Sequence, residues 1–148
     1  MATNNAINLG KYTFSAYISS ASISNPAGTV IFDSVFVNES SAYDTSTGIF
    51  TAPVAGNYLF SSFLNFGGLG AVTAALVAFN IDTYAYQWGE INPTNATDSY
   101  GYFSMQSTLI MPLTVGQQVK VATGFGGGAI RGSGAGYNVS NFSGCLLL

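Results

Sequence analysis

The sequence predicts an all-β chain of about ten short strands, packed as a sandwich or barrel. Three observations carry this. Apolar and polar residues alternate over most of the chain, no stretch shows a helical period, and Gly, Pro, Asn and Ser punctuate the alternation at roughly ten-residue intervals. At 148 residues one domain over residues 1–148 is expected, with 1–10 as an N-terminal extension.

The elements follow in order. Tyr12–Ser19 alternates and reads as the first strand, closed by the Asn25-Pro26-Ala27-Gly28 turn. Val30–Phe32 and Val35–Val37 read as two short strands around Asp33-Ser34. Ser46-Thr47-Gly48 turns the chain into Ile49–Thr51, and Pro53 and Gly56 bracket the next turn. Asn57–Phe66 is the longest strand, with Tyr58, Phe60, Ser62, Leu64 and Phe66 on one face and Leu59, Ser61, Phe63 and Asn65 on the other. Both faces are largely apolar, so both are expected to be covered. After the Gly67–Gly70 break come Thr73–Asp82 and Thr83–Ile91, then an Asn92–Asn95 turn. Tyr100–Met111 and Gln117–Thr123 are strands joined by Pro112–Gly116. Gly124–Gly136 reads as a glycine-rich loop and Tyr137–Leu148 as the final strand.

Hydrophobic residues make up 48% of the chain and charged residues only 6%. A soluble monomer normally wets its surface with far more charge. Ser, Thr, Asn, Gln and Gly must supply the polar surface, or copies of the chain must cover one another. The only cations are Lys11, Lys120 and Arg131, and the net charge is −3. Counterion release at a nucleic acid needs several cations on one face, so neither nucleic acid nor an anionic membrane surface is an expected partner. The most apolar stretch, Ala71–Ile81, is too short to span a bilayer, so no membrane insertion is expected. Residues Met1–Ala6 carry neither a positive n-region nor an apolar h-region, so no signal peptide is expected.

Catalytic chemistry finds little here. The chain has no histidine, which removes the commonest general base and transition-metal ligand. Its single cysteine, Cys145, excludes an intrachain disulfide and reads as a small apolar residue of the last strand. Asp82, Glu90 and Asp98 fall within one region, but six acids in a compact chain bring some pair together by chance. The glycine-rich stretch has no Gly-Lys-Ser/Thr and no following helix, so it is not a phosphate cradle. The Asn-x-Ser/Thr sequons at Asn38, Asn95, Asn138 and Asn141 are what chance yields in so polar a chain. The chain is expected not to be an enzyme.

Four blocks of residues resemble one family in order and spacing. Tyr43, Gly48, Phe50, Pro53, Gly56, Tyr58 and Phe60 fall along Gly48-Ile49-Phe50-Thr51-Ala52-Pro53-Val54-Ala55-Gly56-Asn57-Tyr58-Leu59-Phe60, and the chain ends Asn141-Phe142-Ser143-Gly144-Cys145-Leu146-Leu147-Leu148. Tyr12–Ala16 and Val30–Asn38 are similar to the opening segments of that family, and Ser107–Val121 to its strand–turn–strand. Together they resemble a C1q-type globular domain, with Gln117 and Gln118 at its Asp position and Cys145 at an aromatic one. The resemblance implies a ten-stranded jelly-roll sandwich of the C1q and tumour-necrosis-factor type, assembled as a homotrimer, with both termini at the base. Phe14, Tyr58, Phe60, Phe63, Leu64, Phe66, Phe142 and Leu146 are then the expected core and trimer-contact residues.

It also implies a binding head, so the expected function is a trimeric recognition head of a surface or fibre protein that meets a glycan or protein on another surface. The alternative is a structural trimerisation or capping module of a fibre, spore coat or virion. The expected location is extracellular, on a cell or spore surface or a virion. Aromatic side chains that stack on sugars and keep a polar handle nominate Tyr84, Tyr86, Trp88, Tyr100 and Tyr102 as ligand contacts, with Arg131 facing an anion or an acid across the trimer. No cofactor is expected with certainty. Calcium is a candidate because some relatives bind it near the trimer axis, and Asp82 and Asp98, with Glu39 and Asp44, have the oxygen chemistry for it.

Overall fold

The structure, a computed structural model of the chain, describes residues 10–24, 27–68, 75–92, 102–124, 128–135 and 140–147, without the side chains of 75, 87, 88, 91 and 135. Among them are thirteen strands: β1 Thr13–Tyr17, β2 Ser22–Ser24, β3 Gly28–Thr29, β4 Ser34–Asn38, β5 Tyr43–Asp44, β6 Ile49–Thr51, β7 Gly56–Gly67, β8 Ala75–Ile81, β9 Tyr84–Ile91, β10 Phe103–Leu113, β11 Gln118–Thr123, β12 Ala129–Arg131 and β13 Asn141–Leu146. The described helical segments are three-residue 3-10 turns at Glu39–Ser41 and Ser133–Ala135, and no described helix is long and apolar enough to cross a membrane.

The strands form two sheets, all of whose pairings are antiparallel. The seven-stranded sheet runs β2-β12-β7-β13-β1-β4, with β10 also paired to β7. The six-stranded sheet runs β5-β6-β11-β8-β9, with β3 paired to β11. β7 is central because its 12 residues give both edges partners. β10 pairs along one edge from Gly56 to Phe66, while β13 and β12 share the other.

Period-two alternation sends one face of each strand into the sandwich. Phe14, Ala16, Tyr58, Phe60, Leu64, Phe66 and Phe142 of the seven-stranded sheet meet Phe50, Val77, Phe79, Ile81, Val119 and Val121 of the other, all buried. Phe14 stacks on Tyr43 and Phe50 with ring centroids 5.0 and 5.1 Å away and meets Phe142 edge-on at 4.9 Å. Gly144 makes this crowding feasible, since a Cβ there would lie 2.7 Å from both Phe14 and Phe60. Two polar side chains inside are satisfied locally. Tyr43 Oη accepts from the Phe32 N–H and donates to the Phe32 carbonyl, each at 3.3 Å, and Ser62 Oγ donates to the Asn141 carbonyl at 3.2 Å.

The long strands lie where alternation places them. Three short features differ. Val30 and Phe32 are buried and Ile31 is exposed, but none of the three is in a strand; Val30 N–H donates to Val121 O at 2.9 Å beside the two-residue β3. β12 lies inside the glycine-rich stretch, because Ile130 is a core residue that pairs with Phe66 and Ile23. β10 runs on through Pro112, which an edge strand tolerates because one side needs no N–H donor.

Register gives the sandwich two distinct ends. At one lie the β8–β9 turn, the Thr114–Gln117 turn, the start of β1 and the end of β13, with Thr13 opposite Cys145 and Leu146 N–H donating to Tyr12 O at 3.3 Å. At the other, the loop end, lie Gly67, Ile91, Phe103, Thr123 and Ala129.

Candidate functional site

Three surface features carry the residues nominated by the sequence. The first is the outer face of the seven-stranded sheet. Directly opposed residues of an antiparallel pair share a face, so the register writes rows across β10, β7, β13 and β1. One row is Ile110, Leu59, Cys145 and Thr13, the next Thr108, Ser61, Ser143 and Ser15, and the third Gln106, Phe63, Asn141 and Tyr17. No residue in these rows is charged. A shallow concavity of about 190 Å³ opens between Thr13, Ser15, Leu59, Ser61, Ser143 and Cys145. At the β4 margin a bulge opposite Ser15 and Ala16 leaves Phe36 as the extra residue, and its ring stacks on Tyr17 at 4.3 Å. Phe36 is 68% exposed, and Val35 beside it is exposed as well. The sequence reading placed Val35–Val37 in a strand but could not see this bulge.

The second feature is the lateral edge formed by β9 and β10, each of which has one unpaired side among the described residues. The two edges meet where Gly89 abuts Met105; any Cβ at Gly89 would collide with the Met105 methyl. Tyr84 and Tyr86 stand opposite Ile81 and Phe79, both core residues, so they lie on the sandwich-facing side of β9. The sandwich does not reach over them, and they are 73% and 44% exposed. Gln87 pairs with Ala78 and Gly89 with Val77, so Trp88 is the extra residue of a second bulge. The strict alternation of Tyr84, Tyr86 and Trp88 therefore ends at Gln87. The side chain of Trp88 and the whole of Tyr100 lie outside the described residues.

The third feature is a corner of the outer face at the loop end. Arg131 Cζ sits 4.4 Å from the centroid of the Tyr102 ring, a cation–π contact. Arg131 Nη1 donates to Asn65 Oδ1 at 3.4 Å, and Asn65 Nδ2 donates to Ser104 Oγ at 2.7 Å. Tyr102 takes up this position because Gly67 has no side chain; a Cβ there would lie 3.1 Å from the ring. Tyr102 remains 38% exposed. Asn65, Ser104 and Gly67 escaped the sequence reading, which had no signal for the register that assembles them. Tyr84 and Tyr102 lie at opposite ends of the sandwich and do not share one site.

Two of the acids nominated for calcium, Asp82 and Asp44, are engaged otherwise. Asp82 occupies the left-handed region at φ 50° in the β8–β9 turn. Its Oδ1 accepts the Gln118 N–H at 2.9 Å and its Oδ2 accepts Gln117 Nε2 at 3.0 Å, tying that turn to the β10–β11 turn. The Gln118 N–H, then the Gln117 amide, hold its carboxyl below the ordinary value. Asp44 accepts from Ser46 Oγ and N–H, which likewise lower it. Asp98 lies outside the described residues. Among those described, no three His, Cys, Asp or Glu side chains gather as a metal site.

The core residues named from sequence divide cleanly. Phe14, Tyr58, Phe60, Leu64, Phe66 and Phe142 are buried inside; Phe63 points outward and is half-buried, and Leu146 is half-buried against the core.

The sequence model of the C1q domain family matches residues 13–147. Among solved structures, the globular domain of zebrafish complement 1qA protein is similar with a TM-score of 0.66 and 15% identity, over 93% of this chain and 98% of that one. Murine APRIL at pH 8.5 is similar with a TM-score of 0.60 and 12% identity, over 91% and 99%. Eiger TNF from S. frugiperda has a TM-score of 0.62 and 10% identity, over 92% of each chain. At these identities the likeness to the solved structures is one of fold.

Proposed function

Since this chain belongs to the C1q domain family, we propose that it is a homotrimeric, non-enzymatic recognition head that meets a glycan or protein on another surface with its loop end. Domains of this type commonly form trimers and bind ligands, are typically non-enzymatic, and are usually secreted or surface-exposed.

One observation carries the reading: the rows that cross β10, β7, β13 and β1 on the outer face of the seven-stranded sheet hold no charged residue and are edged by an exposed Tyr17–Phe36 stack. Such a face in water is a covered face. The β9–β10 edge offers a second apolar patch in Tyr84 and Tyr86. The two patches differ and lie on different sides of the sandwich, which suits a heterologous contact, and such a contact forms a ring where its rotation closes. Tyr84 and Tyr86, on the sandwich-facing side of an edge strand, then serve the neighbouring copy. The ligand falls to Tyr102 at the rim, with Trp88 and Tyr100. Three weak contacts presented together gain avidity without new chemistry.

The test is retention of the protein on glycan arrays and cell surfaces. Tyr102→Ala is expected to lose retention while keeping the oligomeric mass of the parent. Retention that survives Ala at Tyr102, Trp88 and Tyr100 alike, or a parent that binds no surface at all, would leave a purely structural trimerisation module.

A further inference from the structure

We infer that the Tyr84 ring of one copy seats in the concavity beside Cys145 of the next. The inference rests on the homotrimer proposed above and names one contact within it.

The concavity exists because small residues stand together on the outer face. Ser143 lies opposite both Ser15 and Ser61, and Cys145 opposite both Thr13 and Leu59. Their short side chains leave a depression of about 190 Å³. An apolar cavity of about 150 Å³ is enough to admit a benzene ring. No charged residue lines the depression. Leu59 and Cys145 give it apolar walls, and the hydroxyls of Ser15, Ser61 and Ser143 both donate and accept. Tyrosine matches that chemistry, with an apolar ring and a polar tip.

Tyr84 is 73% exposed on the sandwich-facing side of the edge strand β9, where its own sandwich leaves it uncovered. Both proposed contact surfaces, the outer sheet face and the β9–β10 edge, run along the strands. A closed ring that joins one to the other has its axis along the strands, and rotation about that axis keeps every loop end on the same side. Groups that meet across the contact then stand at similar heights.

The heights agree for Tyr84. Gly89 abuts Met105, which ties the level of β9 to that of β10. Gly89 pairs with Val77 and Tyr84 with Ile81. The same step along β10, from Met105 toward the end that holds the β8–β9 turn, arrives at Leu109. The residues on either side of Leu109 are Thr108 and Ile110, which pair with Ser61 and Leu59 and so begin the two rows that frame the concavity. Tyr86, opposite Phe79, falls nearer the loop end and beyond the concavity. Phe36 belongs to the receiving face, and Val115 lies in the turn past the end of β10.

Cys145 is the single cysteine of the chain, so it reports on this contact directly. Tyr84→Cys is made in the full chain and treated with a short bis-maleimide. Each introduced thiol is expected to bridge to Cys145 of the next copy, giving a covalent species of three chains on a denaturing gel. Mass spectrometry of the bridged peptides then joins the segment around position 84 to the segment around Cys145. The same substitution combined with Cys145→Ser is expected to give no three-chain species. A second readout uses the parent: in the assembled protein Cys145 is expected to react with a thiol reagent at least about tenfold more slowly than in the urea-unfolded chain, because access governs thiol reactivity. Tyr84→Phe keeps that protection and Tyr84→Ala removes it. A parent trimer whose Cys145 reacts as fast as the unfolded chain overturns the seat of Tyr84 while leaving the trimer intact. So does a trimeric Tyr84→Cys protein whose bridges are absent or bypass Cys145. A parent that is a single chain by light scattering overturns the trimer and this contact together. Neither readout depends on a ligand, so a failure of the recognition role is seen separately.

Discussion

Phe36 lies on Tyr17 with ring centroids 4.3 Å apart and planes 24° from parallel, and the pair is turned toward solvent at the margin of an uncharged sheet face. The bulge that frees Phe36 from the β1–β4 ladder is what puts it there. In a lone chain this stack is an apolar patch without purpose; against a second copy it is an aromatic anchor at an interface.

Replacing Phe36 by Asp puts a carboxylate at that anchor. The expected cost to association is at least about 2 kcal/mol, on the scale of an interface hot spot. Size-exclusion with light scattering checks it: Phe36→Asp shifts toward single chains on dilution. Lys120→Gln, on the outer side of the six-stranded sheet, keeps the parent profile.

Gly144 sits in close packing with the aromatic core, with Phe14 and Phe60 both 2.7 Å from the position of its absent Cβ. Both are ring atoms inside a filled aromatic cluster and have no free space to enter. Gly144→Ala is expected to destabilise by about 1–3 kcal/mol through overpacking, seen as a lower urea midpoint with an unchanged slope.

Tyr43→Phe keeps the ring that stacks on Phe14 and removes only the hydroxyl that serves the Phe32 backbone. Two buried backbone groups lose their partner, so the expected loss is about 1–3 kcal/mol. A loss within error of zero would mean that the Phe32 groups find other partners.

Among the described residues the pH profile follows from the carboxyls of Asp44 and Asp82 and the phenols of Tyr43 and Tyr58, the last also pushed up by burial. The carboxyls of Asp82 and Asp44 are held below the ordinary 3.8, so their contribution is whole above that pH and disappears as pH falls through their folded values. Burial pushes the Tyr43 phenol above 10.0, so its contribution is whole below that pH and fades as pH rises past it. The chain has no histidine to titrate in between. The melting temperature is expected to be flat from about pH 5 to about pH 9 and to fall on both sides. Asp82→Asn flattens part of the acid limb, and a steep change near neutrality in the parent would contradict the assignment.

The strands and the core were legible in the sequence because alternation is a local property. Tyr58, Phe60, Leu64 and Phe66 occupy every second place of one strand, and that alone sends them inside. The sites were less legible because they depend on register between distant segments. Nothing local in Tyr84-Ala85-Tyr86-Gln87-Trp88 marks the bulge at Trp88, which arises from the pairing with Val77 and Ala78. Arg131 lies in a glycine-rich stretch that reads as a loop, and only its pairing with β7 and β2 brings it beside Asn65 and Tyr102. Asp82 has calcium-binding chemistry by type, but its left-handed turn commits both oxygens to Gln117 and Gln118.

The most direct measurement is the solution mass of the unmodified chain by light scattering at micromolar concentration. The charge-free rows of the outer face and the exposed β9–β10 edge predict a particle of about three times the 15.4 kDa chain mass. A stable, soluble species of 15.4 kDa would contradict the assembly and, with it, the neighbour contacts assigned to Phe36 and Tyr84.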